Sequence, residues 1–190
     1  VDFYRRVTGE LVQRGSIHTD DRILVVCGGS ADREALLAVG MSNVVISNLD
    51  ERIDDNEPFA PFGWDRQDAE NLTYGDGAFA WVIVHAGLHH CASPHRALTE
   101  MLRVASRGVV VFEARDSAAM RLAVRLGLAR DYEVDAVTAN GGRFGGVRNS
   151  AVPNYVYRWT EREVHKVVNS LLPMGEHDIE FFHGLRLPTE

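Results

Sequence analysis

DRQDAENLTYGDGAFAWVIVHAGLHH, residues 65–90, decides the fold. Asp68 sits in a polar turn that runs on to Gly75-Asp76-Gly77. A continuous apolar run follows, Phe79-Ala80-Trp81-Val82-Ile83-Val84, and stops at His85. A short apolar run bounded by turn residues reads as a strand buried on both faces. Polar groups just beyond the carboxyl end of such a strand stand where open α/β sheets bind ligands. His89 and His90 follow within one helical turn.

Working outward, the same alternation repeats. Phe3, Val7, Leu11 and Val12 give residues 1–20 weak helical spacing. Asp20-Asp21 opens the first strand, Ile23-Leu24-Val25-Val26, and Cys27-Gly28-Gly29-Ser30 forms its turn. Ser30 is placed to cap a helix over 31–39, with Asp32 and Glu34 in its first turn and Gly40 as its stop. Val44–Ser47 is the second strand, ending at Asn48-Leu49-Asp50. A Pro-containing connector spans 51–64, and a short strand is expected before Asp68.

Past the central strand, Ser93-Pro94 marks a helix start, and Ala97, Leu98, Met101, Leu102 and Ala105 form its apolar stripe. Val109–Glu113 is another buried strand, and Ser117–Leu128 reads as a helix. Residues 138–154, TANGGRFGGVRNSAVPN, are glycine-rich with little apolar content, a candidate lid. Thr160-Glu161-Arg162-Glu163 is a capping box before a helix, and Ile179–Phe182 reads as a late strand. Strands alternating with helices predict a parallel sheet covered on both faces.

The 190 residues fit one domain, 1–190, with 45% hydrophobic content. The formal net charge is −7 with no basic block, which speaks against a nucleic-acid footprint. Lys166 is the sole lysine among 20 basic residues, an arginine bias that reads as base composition. No apolar run reaches the ~18 residues of a membrane span. The amino terminus has no signal-peptide core, and an opening Val1 in place of Met reads as a trimmed or partial sequence. Cys27 and Cys91 fit no disulfide framework, so a cytoplasmic location is expected.

Several short motifs then line up. They are Asp68-Ala69-Glu70-Asn71-Leu72, Asp76-Gly77-Ala78-Phe79, His89-His90-Cys91, Ser93-Pro94, Arg96–Met101 and Arg103-Val104. Together they resemble the middle of a class I S-adenosylmethionine-dependent methyltransferase of the small-molecule, type 11 kind. The resemblance covers residues 22–115 well and the rest thinly. It implies an α/β fold, a doubly wound, mostly parallel Rossmann-like sheet of seven strands with an antiparallel hairpin at one edge. The chain ends at Glu190, before a seventh strand, so that edge is expected to be reduced or truncated.

The resemblance implies S-adenosylmethionine as cofactor and assigns positions to it. The family's acid and Gly-x-Gly-x-Gly motif after the first strand is met in part: Gly29 holds the central glycine, Val25 replaces the acid, Cys27 the first glycine and Ala31 the last. Cys27, Gly28 and Gly29 are the loop candidates; a plain strand-to-helix turn is the alternative. Asn48 takes the ribose-binding acidic position with Asp50 two residues on, and either could instead cap a turn. Asp68 takes the adenine amino contact and the Ala69 amide a ring nitrogen. His85 is expected at the cofactor's far end.

His89 and His90 are the catalytic candidates, as a base for a hydroxyl or amine acceptor, with pocket lining as the alternative. No HExxH, CxxC or distant ligand pair accompanies them, so no metal ligands are assigned. In-line methyl transfer draws on proximity and water exclusion, so a strong base is not essential. The leading reading is methyl transfer to a small-molecule acceptor. A non-catalytic methyltransferase-like scaffold is the alternative. A nucleotide-dependent oxidoreductase ranks last, since GxGxxG is missing and Arg162 precludes a Tyr-x-x-x-Lys pair with Lys166.

Overall fold

The computed structural model describes residues 2–184. Helix α1 (Asp2–Gln13) leads into β1 (Ile23–Val26), α2 (Ser30–Ala38), β2 (Val44–Asn48), β3 (Gly63–Arg66) and β4 (Phe79–His85). Then follow α3 (Pro94–Val104), β5 (Ala105–Phe112), α4 (Ala118–Arg125), β6 (Tyr132–Glu133), α5 (Asp135–Ala139), β7 (Asn154–Tyr155) and α6 (Glu161–Leu171). The main sheet has five strands in the order β3-β2-β1-β4-β5. Every pairing within it is parallel. This is the doubly wound, Rossmann-like arrangement expected from the alternating pattern.

The apolar runs of β1 and β4 are continuous because both faces of the sheet are covered there, whereas β5, expected to be a buried strand, lies at the sheet edge and is partly exposed, Val111 by 37%. In β1, Ile23 and Val25 pack toward α1 and α2, with Tyr4, Leu36 and Ile46. Leu24 and Val26 point the other way, against Leu98, Met101 and Val104 of α3. A strand buried on both faces shows no polar alternation. No helix among the described residues is long and apolar enough to cross a membrane.

One signature cluster proves to be a staple. Arg103 donates to Glu100, Asp76 and the Leu72 and Tyr74 carbonyls, while Glu100 accepts the Leu72 amide at 3.0 Å. These contacts pin the loop after β3 against α3 and so fix where Asp68 stands.

Three local expectations change. Gly29, not Ser30, is the cap of α2, and the Asp32 carboxylate accepts the Gly29 amide at 2.9 Å. Residues 138–154 are not one loop: α5 ends inside them, a single 3₁₀ turn spans Val147–Asn149, and β7 begins at Asn154. Ile179–Phe182 is no strand. Phe182 instead packs against the α1-side core, and Glu180 pairs with Arg14. The run's apolar residues are satisfied by side-chain docking, without strand pairing. An antiparallel ribbon does exist, β6 with β7, but it stands apart from the main sheet.

Candidate functional site

Strand order reverses between β1 and β4, so the loops leaving their carboxyl ends part and open a crevice. Its cavity volume is ≈ 250 Å³. The walls come from the loops after β1 (Cys27, Gly28), β2 (Asn48, Asp50) and β3 (Asp68, Ala69), with His90 and Cys91 beyond β4. Gly145, Gly146, Arg148 and Asn149 close the mouth from the glycine-rich segment.

At the β3 side, Asp68 Oδ1 accepts the Glu70 amide at 2.9 Å, the turn geometry its sequence suggested. Its other oxygen accepts Arg148 Nη2 at 2.7 Å. Arg148 Nη1 reaches Glu70 Oε2 at 3.1 Å. Glu70 is itself fixed, accepting the Ala92 and Ser93 amides at 2.9 Å each, at the start of α3. Among the described residues the Ala69 amide has no hydrogen-bond partner. A carboxylate beside a free backbone N–H is the pairing an aminopurine edge requires.

At the β2 side, Asn48 and Asp50 separate in role. Asn48 Nδ2 donates to the Gly28 carbonyl at 2.7 Å, and its Oδ1 accepts the Asp50 amide at 2.8 Å. Its amide thus ties two loops together. Asp50 is held by Arg52 at 2.7 Å, and that guanidinium keeps its carboxyl below the usual carboxylate range. Arg52 also lies over the Phe144 ring, 4.7 Å from its centroid, which couples the β2 side to the closing segment.

The β1 loop departs from its glycine motif in a readable way. Cys27 has φ 53°, the left-handed conformation a glycine would take without cost. A Cβ on Gly28 would fall 2.8 Å from Val25 Cγ1 and 2.9 Å from Ile46 Cγ2. Gly28 is therefore glycine because of the sheet beneath it. A Cβ on Gly29 would meet nothing within 4 Å, and Gly29 does not line the crevice. Cys27 Sγ lies 4.0 Å from Cys91 Sγ; contact with Cys91 and burial push the Cys27 thiol pKa up.

The histidines fall into two groups. His85 stacks on Tyr4, centroids 4.7 Å apart, beneath α1 and away from the crevice. Burial lowers its pKa. His89 and His90 share a 3₁₀ turn, Leu88–His90, with ring centroids 4.5 Å apart. His89 Nδ1 lies 3.3 Å from Glu113 Oε2, and Glu113 Oε1 accepts the Leu88 amide at 2.7 Å. Glu133 Oε2 lies 3.4 Å from His89 Nε2 and 3.3 Å from His90 Nε2. Burial lowers His89, but the hydrogen bond and charge of Glu113 outweigh it and the net direction is up. Burial, and then His89, lower His90.

Sequence reasoning reached Cys27, Gly28, Asn48, Asp50, Asp68, Ala69 and His90, which the crevice brings together. It did not reach Glu70, Glu113, Glu133 or Asn154. Glu113, at the end of β5, was the most visible, a lone acid closing an apolar run.

A family model described as a methyltransferase domain matches residues 25–112, the stretch that builds β1 to β5 and the crevice walls. Residues 25–112 carry the class I methyltransferase fold. Domains of this class use S-adenosylmethionine as methyl donor. The methyltransferase domain is similar in fold to an S-adenosylmethionine-dependent methyltransferase from Methanosarcina mazei, with TM-score 0.53, 14% identity, and coverage of 84% of this chain and 82% of that one. The YcgJ protein of Bacillus subtilis gives TM-score 0.59 at 11% identity, covering 90% and 68%. A Bacillus halodurans protein gives TM-score 0.55 at 17% identity over 85% of this chain, which spans 66% of that protein's length. At these identities the likeness is one of fold. No curated protein matches the chain.

Proposed function

We propose that this methyltransferase domain binds S-adenosylmethionine in the crevice and directs its methyl group to a small-molecule acceptor by in-line displacement. The observation that carries the reading is the Asp68 carboxylate beside the free Ala69 amide, at the switch point of the sheet. The cofactor supplies an electrophilic methyl on a sulfonium sulfur. Asp68 and Ala69 take the adenine edge, Asp50 the ribose hydroxyls, and Cys27 and Gly28 line the chain between. Asn48 keeps the two loops in register. His89 and His90 stand at the acceptor end; His85, under α1, supports the end of β4.

Residues 138–154 act as the lid over this crevice. The grip of Arg148 on Asp68 is its cofactor-free form, and cofactor entry requires that grip to open. A lid that closes after binding excludes water and holds the acceptor in line, which is most of what methyl transfer needs. The non-catalytic scaffold reading is favoured by the same contact, since Arg148 already satisfies the adenine-side carboxylate. Two free cysteines fit a reducing, cytoplasmic setting.

Calorimetric titration with S-adenosylmethionine and S-adenosylhomocysteine separates the two readings. Binding of both at one site, lost on Asp68→Ala, supports the enzyme. Folded protein that binds neither leaves the scaffold.

A further inference from the structure

We infer that His89, His90 and Glu133 form a three-ligand site for a divalent transition-metal ion such as zinc, beside the crevice. The ligand atoms are His89 Nε2, His90 Nε2 and Glu133 Oε2, all within 4.8 Å of one another. Around a tetrahedral ion with bonds of about 2.1 Å, neighbouring donor atoms lie about 3.4 Å apart. The two Glu133 contacts, 3.4 and 3.3 Å, match that spacing.

The Glu133 contacts are long for charge-assisted hydrogen bonds. Charge-assisted N–H···O contacts close to about 2.7–2.9 Å. The His95 Nε2–Glu163 Oε1 pair does so, at 2.7 Å. The cluster at Glu133 converges on a point without closing to that distance. Its donor set, imidazoles with one carboxylate, suits a borderline ion such as zinc.

The surroundings are those of a metal-binding histidine. A ligating imidazole commonly gives its other N–H to a carboxylate, which fixes ring orientation. His89 Nδ1 faces Glu113, whose side chain is 3% exposed. For His90 the counterpart is Asn154, fully buried, whose Nδ2 lies 3.0 Å from His90 Nδ1. Asn154 Oδ1 has no partner among the described residues. Turning the amide over gives that oxygen the Nδ1 proton of a metal-bound His90, at the loss of the Nδ2 contacts with the Gly145 carbonyl and with Glu133 Oε2.

Three protein ligands leave a position open, as in catalytic zinc sites, and it suits an oxygen ligand. That this ligand is the methyl acceptor's hydroxyl rests on the methyl-transfer reading; the site itself does not. The test therefore reads metal, with no cofactor present. Full-length protein is stripped with chelator, then titrated with Zn²⁺ by calorimetry and assayed for bound metal after dialysis. One equivalent is expected. Glu133→Gln and His90→Gln should each weaken binding at least tenfold, and Glu113→Gln about 10- to 100-fold through a loosened His89. Co²⁺ in place of Zn²⁺ should show visible absorption of a four-coordinate site, lost in Glu133→Gln. His90→Gln carries the test alone if Glu133→Gln does not fold. Absence of binding by folded wild type, or binding that both ligand variants leave unchanged, overturns the site.

Discussion

Arg148 bridges the mouth of the crevice to Asp68, Nη2 to Oδ2 at 2.7 Å, from a backbone held in the left-handed region at φ 52°. The carboxylate proposed for the adenine amino group is thus engaged by the chain's own arginine. The Arg148 side chain is 48% exposed, so this is a weak, water-screened latch.

Removing the latch should help the cofactor. An exposed pair is worth about 0.2–1 kcal/mol, so Arg148→Ala should tighten S-adenosylhomocysteine binding by about 1.4- to fivefold. Stopped-flow mixing should show the gain in the association rate. Limited proteolysis should cut residues 138–154 faster in the variant. Weaker binding would mean that Arg148 clamps bound cofactor and does not compete with it.

Three substitutions sort the polar wall. Asp68→Ala should weaken S-adenosylhomocysteine binding by about 1–3 kcal/mol, by leaving an amino group unpaired. Asp50→Ala should weaken binding with little change in melting temperature. Asn48→Ala breaks the tie between the β1 and β2 loops and should cost stability as well, about 1–2 kcal/mol. Equal melting temperatures for the Asn48 and Asp50 variants would refute this division of labour.

The centre of the sheet could be read from the sequence because β1 and β4 are contiguous apolar runs whose burial on both faces removes alternation; Ile23–Val26 and Phe79–Val84 needed no partner to be recognised. The polar wall was legible where a residue's place at a strand's end brings it into the crevice, as at Asp68 and Asp50. What was hidden depends on pairings across long separations. Glu133 meets His89 and His90 only after α4 and the β6–β7 ribbon fold back over the sheet. Arg148 was visible as a charge in a glycine-rich stretch, but its partner 80 residues earlier was not. Ile179–Phe182 misled because an apolar, β-prone run says that it wants burial, not whether a strand or a helix surface will supply it.

The strain at Cys27 predicts a compensating pair. A non-glycine residue in the left-handed region costs about 1–2 kcal/mol, so Cys27→Gly should stabilise the fold by about 1 kcal/mol. Gly87→Ala should do the reverse, because its Cβ would lie 2.5 Å from Cys27 Cβ and 3.0 Å from Val84 Cγ2. In the double variant, Cys27→Gly removes the closest clash. Urea unfolding should therefore show the two substitutions to be non-additive, with Gly87→Ala costing less in the Cys27→Gly background. Strict additivity would remove the Cys27–Gly87 contact as the cause.

Asp32 gives the stability curve a pH dependence of defined sign. Its residue is 4% exposed at the start of α2, under Tyr4, and burial pushes its carboxyl up to about 6, although the Gly29 amide pulls the other way. The unfolded chain titrates near 3.9. The folded protein therefore holds the Asp32 proton more tightly, and stability falls as pH rises from about 4 through about 6. A shift of about two units corresponds to about 3 kcal/mol, lost in full above that window. Asp32→Asn keeps an acceptor for the Gly29 amide and removes the titration. The variant should match wild type near pH 3.5 and exceed it by up to about 3 kcal/mol at pH 7.5. Urea titrations across pH 3.5–7.5 give the difference directly. A gap that stays constant with pH would show that Asp32 is ionised in the fold without penalty, and that the start of α2 tolerates its charge.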